Sequence, residues 1–249
     1  MAASQRVYGL HSVQSALDFG PGKVRQAWLD RNRTDRRIVA IVETLSSLNI
    51  PMEQVDRDRL YKLSNGGKHQ GIVLEVTMPE ERNESDLKEV LINRQTPPLF
   101  LVLDRVQDPH NLGACLRTAD AAGVDGVIIT KDQTVGLTPA VCKVASGAAE
   151  TIPVYRVVNL ARTLRWLKTE GVWIFGADGE SEQMVYEVDL REPAAIVVGA
   201  EGKGLRRLTR EQCDLLIKLP MLGHVESLNL SAAAAALLYE AVRQRSNPA

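Results

Sequence analysis

The sequence predicts an α/β protein built mainly on a parallel sheet, with a smaller α/β unit ahead of it. Three observations point there. From Leu99 onward, short apolar runs alternate with stretches of helical periodicity. Those runs are almost unbroken in Val, Ile, Leu and Ala, the pattern of strands covered on both faces. A polar stretch at 80–98, closing on Pro97-Pro98, separates this alternation from residues 1–79.

Residues 1–79 read as a small domain. Val13, Ala16 and Leu17 give a short helical face after Tyr8-Gly9, and Ala27-Trp28-Leu29 reads as a strand. Ile38, Ile41, Val42, Leu45 and Leu48 recur at helical spacing, and Gly71 to Val76 is β-branched enough for a closing strand. The loop Asn65-Gly66-Gly67-Lys68-His69-Gln70 is polar and glycine-bearing, so it is either a plain turn or an approach to a phosphate backbone. Residues 80–98 read as a linker around a short amphipathic piece, Leu87 to Ile92.

In the larger domain, 99–249, strands are expected at Leu99–Leu103, Gly126–Thr130, Val154–Val157, Val172–Ala177, Ala194–Ala200 and Leu215–Leu219. Helices are expected near Leu112–Ala122, Pro139–Ala149, Leu160–Glu170, Leu208–Asp214 and Ser227–Gln244. Thr209 with Gln212 could form a capping box, and Ser227 could cap the last helix. Its run Ala232 to Ala236 has high helix propensity and little bulk, which suits close approach of another backbone.

Composition sets the broad class. The chain has 249 residues and a net charge of −1, with no apolar run long enough to span a bilayer. The start, MAASQRVYGLHSV, lacks the apolar core of a secretory signal. Three scattered cysteines, Cys115, Cys142 and Cys213, make a disulfide framework or a zinc site a poor reading and point to a reducing cytoplasm. Residues 1–79 carry eleven Lys and Arg against eight Asp and Glu, so the smaller unit is basic and the rest acidic. Arg31, Arg33, Arg36 and Arg37 cluster, either as a solvated helix end or as a surface for nucleic acid.

Ligands of open α/β sheets sit beyond the carboxyl ends of the strands. Three segments occupy that position. The first runs from Asp104 to Thr118; within it Asn111 could serve as a helix cap, and Arg117 could be a solvated helix residue. The second, Val198 to Gly204, has glycines spaced GxxGxG. That is neither the dinucleotide fingerprint nor a P-loop, since Lys203 is followed by Gly204. The third runs from Leu219 to Asn229 around Gly223.

DPHNLGACLRT, IVVGAEGKGL and IKLPMLGHVESLNLSAAAA resemble, in order and spacing, the three motifs of the SpoU/TrmH branch of the SPOUT methyltransferases. VYGLHSVQSAL, HQGI and SGAAETIPVYRVVNLART extend the likeness over nearly the whole chain, towards the bacterial enzymes that methylate guanosine 2′-hydroxyls in 23S rRNA. The resemblance implies a SPOUT α/β-knot, a parallel-sheet domain with a deep C-terminal trefoil knot, carrying a small N-terminal L30e-like domain that binds the RNA. It implies S-adenosylmethionine as cofactor, with no metal, held around Gly199, Ala200, Gly204, Leu219, Met221, Leu228 and Asn229. Asn111, Arg117, Glu201, Ser227 and Asn229 match the family's functional polar positions, Arg117 acting on the ribose hydroxyl from its own or a neighbouring subunit. The implied partners are 23S rRNA or a large-subunit assembly intermediate, and a second copy through the catalytic domain. For that homodimer, Leu237, Leu238 and Val242 of the last helix offer an apolar face. Two other readings stay open: a tRNA 2′-O-methyltransferase of the same family, and a non-catalytic RNA-binding assembly factor.

Overall fold

The structure is a computed structural model describing residues 3–19, 23–200, 202 and 204–246; Glu201 and Lys203 lie outside the described residues. The chain divides into two compact units, one up to Glu80 with Leu137–Lys143, the other Glu81–Gly136 with the remainder from Val144.

In the first unit the elements run β1 (Ala3–Tyr8), α1 (Leu10–Phe19), β2 (Val24–Asp30), α2 (Arg36–Ser47), β3 (Met52–Val55), α3 (Arg57–Leu63) and β4 (Ile72–Met78). The sheet order is β1-β4-β2-β3, with β4 antiparallel to both neighbours and β3 parallel to β2. Ile38, Ile41 and Leu45 bury one face of α2, whose start Asp35 caps by accepting from the Arg37 amide. Asp56 caps α3 in the same way, accepting from Arg59 N at 2.8 Å.

The second unit opens with α4 (Glu84–Ile92), so the stretch read as linker contains a packed helix. Asn83 and Asp86 close a capping box at its start, and Leu87 is fully buried beside Tyr155 and Leu164. Along the chain there follow β5 (Leu99–Asp104), α5 (Pro109–Ala121), β6 (Gly126–Thr130), α6 (Pro139–Ala145, grouped up to Lys143 with the first unit), α7 (Ala148–Thr151), β7 (Val154–Val157), α8 (Leu160–Thr169), β8 (Trp173–Ala177), β9 (Ala194–Gly199), α9 (Arg207–Arg210), β10 (Leu215–Ile217) and α10 (Leu230–Ser246). The six strands are parallel throughout, in the order β10-β8-β9-β5-β6-β7. β5, β6 and β9 are buried at every position, as their unbroken apolar runs required. One sheet face packs on α4 and α8; α10 lies against α5 and β9.

Several local expectations are corrected. The helix expected over Pro139–Ala149 breaks in two because Ser146 and Gly147 adopt left-handed backbone, with φ of 52° and 97°. α9 is a single turn without a side-chain cap, so the Thr209–Gln212 capping box does not form; Thr209 is buried within that turn. β10 stops at Ile217, and Lys218 instead bridges to Met184. α10 starts at Leu230, three residues beyond Ser227, and its cap is Asn229, whose Oδ1 accepts from the Ser231 amide at 2.9 Å. Leu237 and Leu238 are buried within the chain, so they are not free to meet a second copy.

Candidate active site

From β5 the sheet grows one way through β6 and β7, then the other way through β9, β8 and β10. Such a reversal leaves a crevice at the carboxyl ends of the strands. The segments following β8, β9 and β10, with the start of α10, enclose a cavity of about 570 Å³, within the range of small-molecule sites.

The glycine segment forms one wall. A Cβ on Gly199 would lie 2.2 Å from the carbonyl of Gly204, so the strand end and the returning loop touch backbone to backbone. The turn closes with Gly204 N donating to Ala200 O at 2.9 Å, and Gly202 and Gly204 take φ of 71° and 58°. Its far end is tied back to β5. Asp104, fully buried at the end of that strand, accepts from the Arg206 amide at 3.2 Å and pairs with the Arg206 guanidinium at 2.7 Å.

Val198, Ile217, Leu219, Met221, Leu228 and Leu230 make the cavity largely apolar. Ser227 lines it as well, in the exposed approach to α10 rather than as that helix's cap. The sequence pattern did not disclose the wall after β8, where Asp178, Gly179 and Glu180 line the cavity. Their signal was their place, immediately after a strand that the periodicity does reveal. β10 holds this loop in position: Asp178 N donates to Ile217 O at 2.9 Å, and Ser181 Oγ donates to Leu216 O at 2.6 Å. With Glu226, Asp178 and Glu180 bring three carboxylates to the wall among the described residues, against one described cation, Lys218. Arg210 pairs with Asp178 at 2.9 Å.

A second cavity of about 250 Å³ adjoins the first, sharing Ala200 and Leu230 with it. Its polar lining is Arg105, Gln107, Asp108, Asn111 and Gln133. Asp108 is the N-cap of α5 and accepts from the His110 amide at 3.0 Å. Asn111 is therefore not the cap. It is buried in the first turn, and its Oδ1 accepts from Asn229 Nδ2 at 3.0 Å. That bond fastens the start of α5 to the start of α10. Cys115, one turn on, is no nucleophile, since burial pushes its thiol up to about 12.

Arg117 is not brought to either cavity. Six residues beyond Asn111, it points about 120° away round the helix, is exposed, and reaches Ser146 Oγ at 3.5 Å. The structure thus gathers Asn111, Ser227, Asn229 and the expected cofactor residues, and leaves Arg117 facing outward. Glu201 lies outside the described residues. Among the described residues there is no cluster of acids, histidines or cysteines suited to a metal ion, and no helix long and apolar enough to cross a membrane.

Comparison with known proteins follows the same division. Residues 98–239 match the SpoU rRNA Methylase family, and residues 6–82 match a family described as RNA 2′-O ribose methyltransferase substrate binding. The chain is 50% identical over 98% of its length, and 98% of the relative's, to the 23S rRNA (guanosine-2′-O-)-methyltransferase RlmB of Pseudomonas putida. It is 49% identical over its whole length, and 99% of the relative's, to the protein of the same name from Coxiella burnetii. Among solved structures, the SpoU methyltransferase AviRb from Streptomyces viridochromogenes in complex with AdoMet aligns with a TM-score of 0.64 at 27% identity, covering 98% of this chain and 91% of that one. The A. aeolicus TrmH/SpoU tRNA modifying enzyme aligns with a TM-score of 0.56 at 32% identity, over 65% of this chain and 82% of that one.

Proposed function

This chain belongs to the SpoU rRNA methylase family, and from that premise we propose that it methylates the ribose 2′-hydroxyl of a guanosine in 23S rRNA, using S-adenosylmethionine. The observation that carries the reading is the pair of adjoining cavities, one apolar with a carboxylate-bearing wall, the other polar and holding Asn111. S-adenosylmethionine fits the first. It is a mostly apolar adenosine joined to a cationic sulfonium, and the lining offers aliphatic side chains, open glycine backbone and three acids. When bound, it supplies an electrophilic methyl group that needs no metal.

The remaining work falls to the chain's own residues. Val198, Leu219, Met221 and Leu228 exclude water, and the backbone of Gly199, Ala200, Gly202 and Gly204 shapes the wall. The second cavity receives the acceptor nucleotide, with Asn111 directed at its ribose or phosphate and held there by Asn229. Alignment of a hydroxyl with a reacting centre supplies several kcal/mol, on the order of 7–11 in the best cases. Arg117 acts on the ribose hydroxyl or its phosphate by charge and orientation, because a guanidinium does not give up its proton at ordinary pH. Since it faces out of its own chain, the site takes Arg117 from a second copy, in a homodimer. Ser227 and Glu201 belong to the same site, and the C-terminal segment threads the trefoil knot typical of the family. The first unit holds the RNA, free or within a large-subunit assembly intermediate.

The test is a map of 2′-O-methylation in 23S rRNA and tRNA from cells with and without the protein, repeated with purified protein on a transcript. One guanosine in 23S rRNA should lose its methyl group and regain it in vitro. A lost methyl in tRNA instead moves the substrate, and unchanged maps end the reading.

A further inference from the structure

The first unit contains a surface that neither cavity uses. β1 and β2 both run antiparallel to β4, and β3 runs parallel to β2, so the ends of β1, β2 and β3 and the start of β4 fall at one edge of the sheet. Their loops are bonded together. Gly9 N donates to His69 O at 3.2 Å, Leu10 N to Gln70 Oε1 at 3.0 Å, Asp30 N to Gly71 O at 3.0 Å and Arg31 N to Val55 O at 3.1 Å. Arg33 also donates to the Gln70 carbonyl.

This edge is held in unusual backbone. Gly9, Asn65, Gly66, Gln70 and Gly71 all have φ between 50° and 83°. Two glycines there abut tyrosines. A Cβ on Gly67 would come 2.4 Å from the ring of Tyr8, and one on Gly66 would come 3.2 Å from Tyr61 Oη. Both rings stay accessible, Tyr8 at 37% and Tyr61 at 59%. Around them Arg31, Arg57 and Lys68 are exposed, and none has an ion-pair partner among the described residues. The acids nearby are mostly engaged: Asp35 pairs with Arg33 and caps α2, Asp56 caps α3, and Asp30 accepts from the Asn32 amide at 3.0 Å; Asp58 remains, against the further cations Arg36, Arg37, Arg59 and Lys62.

We infer that this sheet edge is a docking surface for unpaired RNA, with bases stacked on Tyr8 and Tyr61 and phosphates met by Arg31, Arg57 and Lys68. Exposed aromatic faces among unpaired cations are what single strands require, because every base has a face to stack and every phosphate a charge to match. Gly67 lets backbone come up against the Tyr8 ring, and Gly66 against the hydroxyl end of Tyr61, while both side chains keep accessible surface. A paired helix hides its base faces and has no use for the tyrosines. The inference rests on the proposed RNA substrate and names the part of the first unit that holds it.

The test uses the full chain and a 23S rRNA transcript, with filter-binding affinity at two salt concentrations and calorimetric affinity for S-adenosylmethionine. Tyr61→Ala should weaken RNA binding roughly 5- to 150-fold, the range for loss of one stacked base, and Tyr8→Ala likewise. Tyr8→Phe, which keeps the ring and its packing on Gly67, should retain binding. Lys68→Glu and Arg57→Glu should weaken binding and flatten the salt dependence by about 0.7 for each phosphate no longer neutralised. Cofactor affinity should not move in any of them, and Arg165→Glu, an exposed cation on α8, should bind as wild type. A fully paired duplex should compete poorly. If Tyr61→Ala and Lys68→Glu both bind within twofold of wild type, the loop is only a turn and the inference is wrong. Equal competition by the duplex removes the stacking. If the wild-type protein itself neither binds nor methylates the transcript, the proposed function falls first and takes this surface with it.

Discussion

One carboxamide, that of Asn229, does two things at once. Its oxygen caps α10 by accepting from the Ser231 amide and hydroxyl, at 2.9 and 2.7 Å, while its nitrogen holds Asn111 at 3.0 Å. Asn229→Ala should lose both, about 1 kcal/mol for the cap and about 1 for the bond. Asn229→Asp keeps the acceptor and loses the donor, so it should recover the cap's share of stability but not turnover. Urea melts beside methylation rates decide this, and an Asp variant with full turnover would leave the Asn111 bond without a catalytic purpose. His69 offers a second test. Its Nδ1 accepts from the Gly71 amide at 3.1 Å, which requires a neutral ring. Burial, aided by Arg57, holds its pKa below the ordinary histidine value. The folded state therefore binds fewer protons than the unfolded one. The contribution is whole above the unfolded value of about 6.5 and is lost as pH falls towards the folded one, then levels off. The stability gap between wild type and His69→Asn should narrow over that window, and a gap constant from pH 8 to 5 would refute the assignment.

At the level of elements, the glycine turn after β9 depends on Gly199 having no side chain. The approach it would violate is backbone on backbone, at 2.2 Å, so the loop itself must move. Gly199→Ala should cost about 1–3 kcal/mol of stability and reduce cofactor affinity at least tenfold, since the same turn walls the cavity. Unchanged calorimetric affinity would mean that the wall does not shape the site. Which elements the sequence disclosed follows from burial. β5, β6 and β9 are covered on both faces, and continuous apolar runs record that. β1, β3 and α3 went unread because they bury little: β3 exposes Met52, Glu53 and Gln54 and buries Val55 alone, and α3 buries only Leu60. The break at Ser146-Gly147 is set by backbone conformation, which periodicity does not encode. In the site, Leu219, Met221 and Leu228 were legible only through resemblance, because residues that line an open cavity follow neither helical nor strand spacing. Asp178 and Glu180 were legible in principle, as the fourth polar segment after a strand.

For the whole molecule, the stretch 81–98 packs as part of the second unit: Leu87 is fully buried, and Arg82 bridges by backbone to Val154 and Tyr155's neighbour Arg156, each at 2.8 Å. A chain beginning at Glu81 should thus outlast one beginning at Pro97 in urea by about 2–5 kcal/mol, the range for losing one buried leucine; equal midpoints would make α4 dispensable. Arg117 bears on how many copies make a site. Buried Leu237 and Leu238 withdraw one apolar face from a dimer, yet Leu222, Val225 and Tyr239 stay exposed at 96%, 65% and 50%. Each of these apolar side chains is open to a second copy. If that copy supplies Arg117, Arg117→Ala should lower turnover by on the order of 10² with cofactor affinity intact, and Arg117→Lys should recover part, keeping charge without the planar fork. Mixing then tells own-chain from partner supply. Arg117→Ala and Asn111→Ala chains, unfolded and refolded together in equal amounts, give heterodimers in about half of the pairs, each with one complete site if arginine crosses over. Activity should return to about a quarter of wild type from two nearly inactive parents. No recovery, in a mixture shown to be dimeric, would place Arg117 in its own chain's site. Near-normal turnover of Arg117→Ala alone would remove it from catalysis altogether.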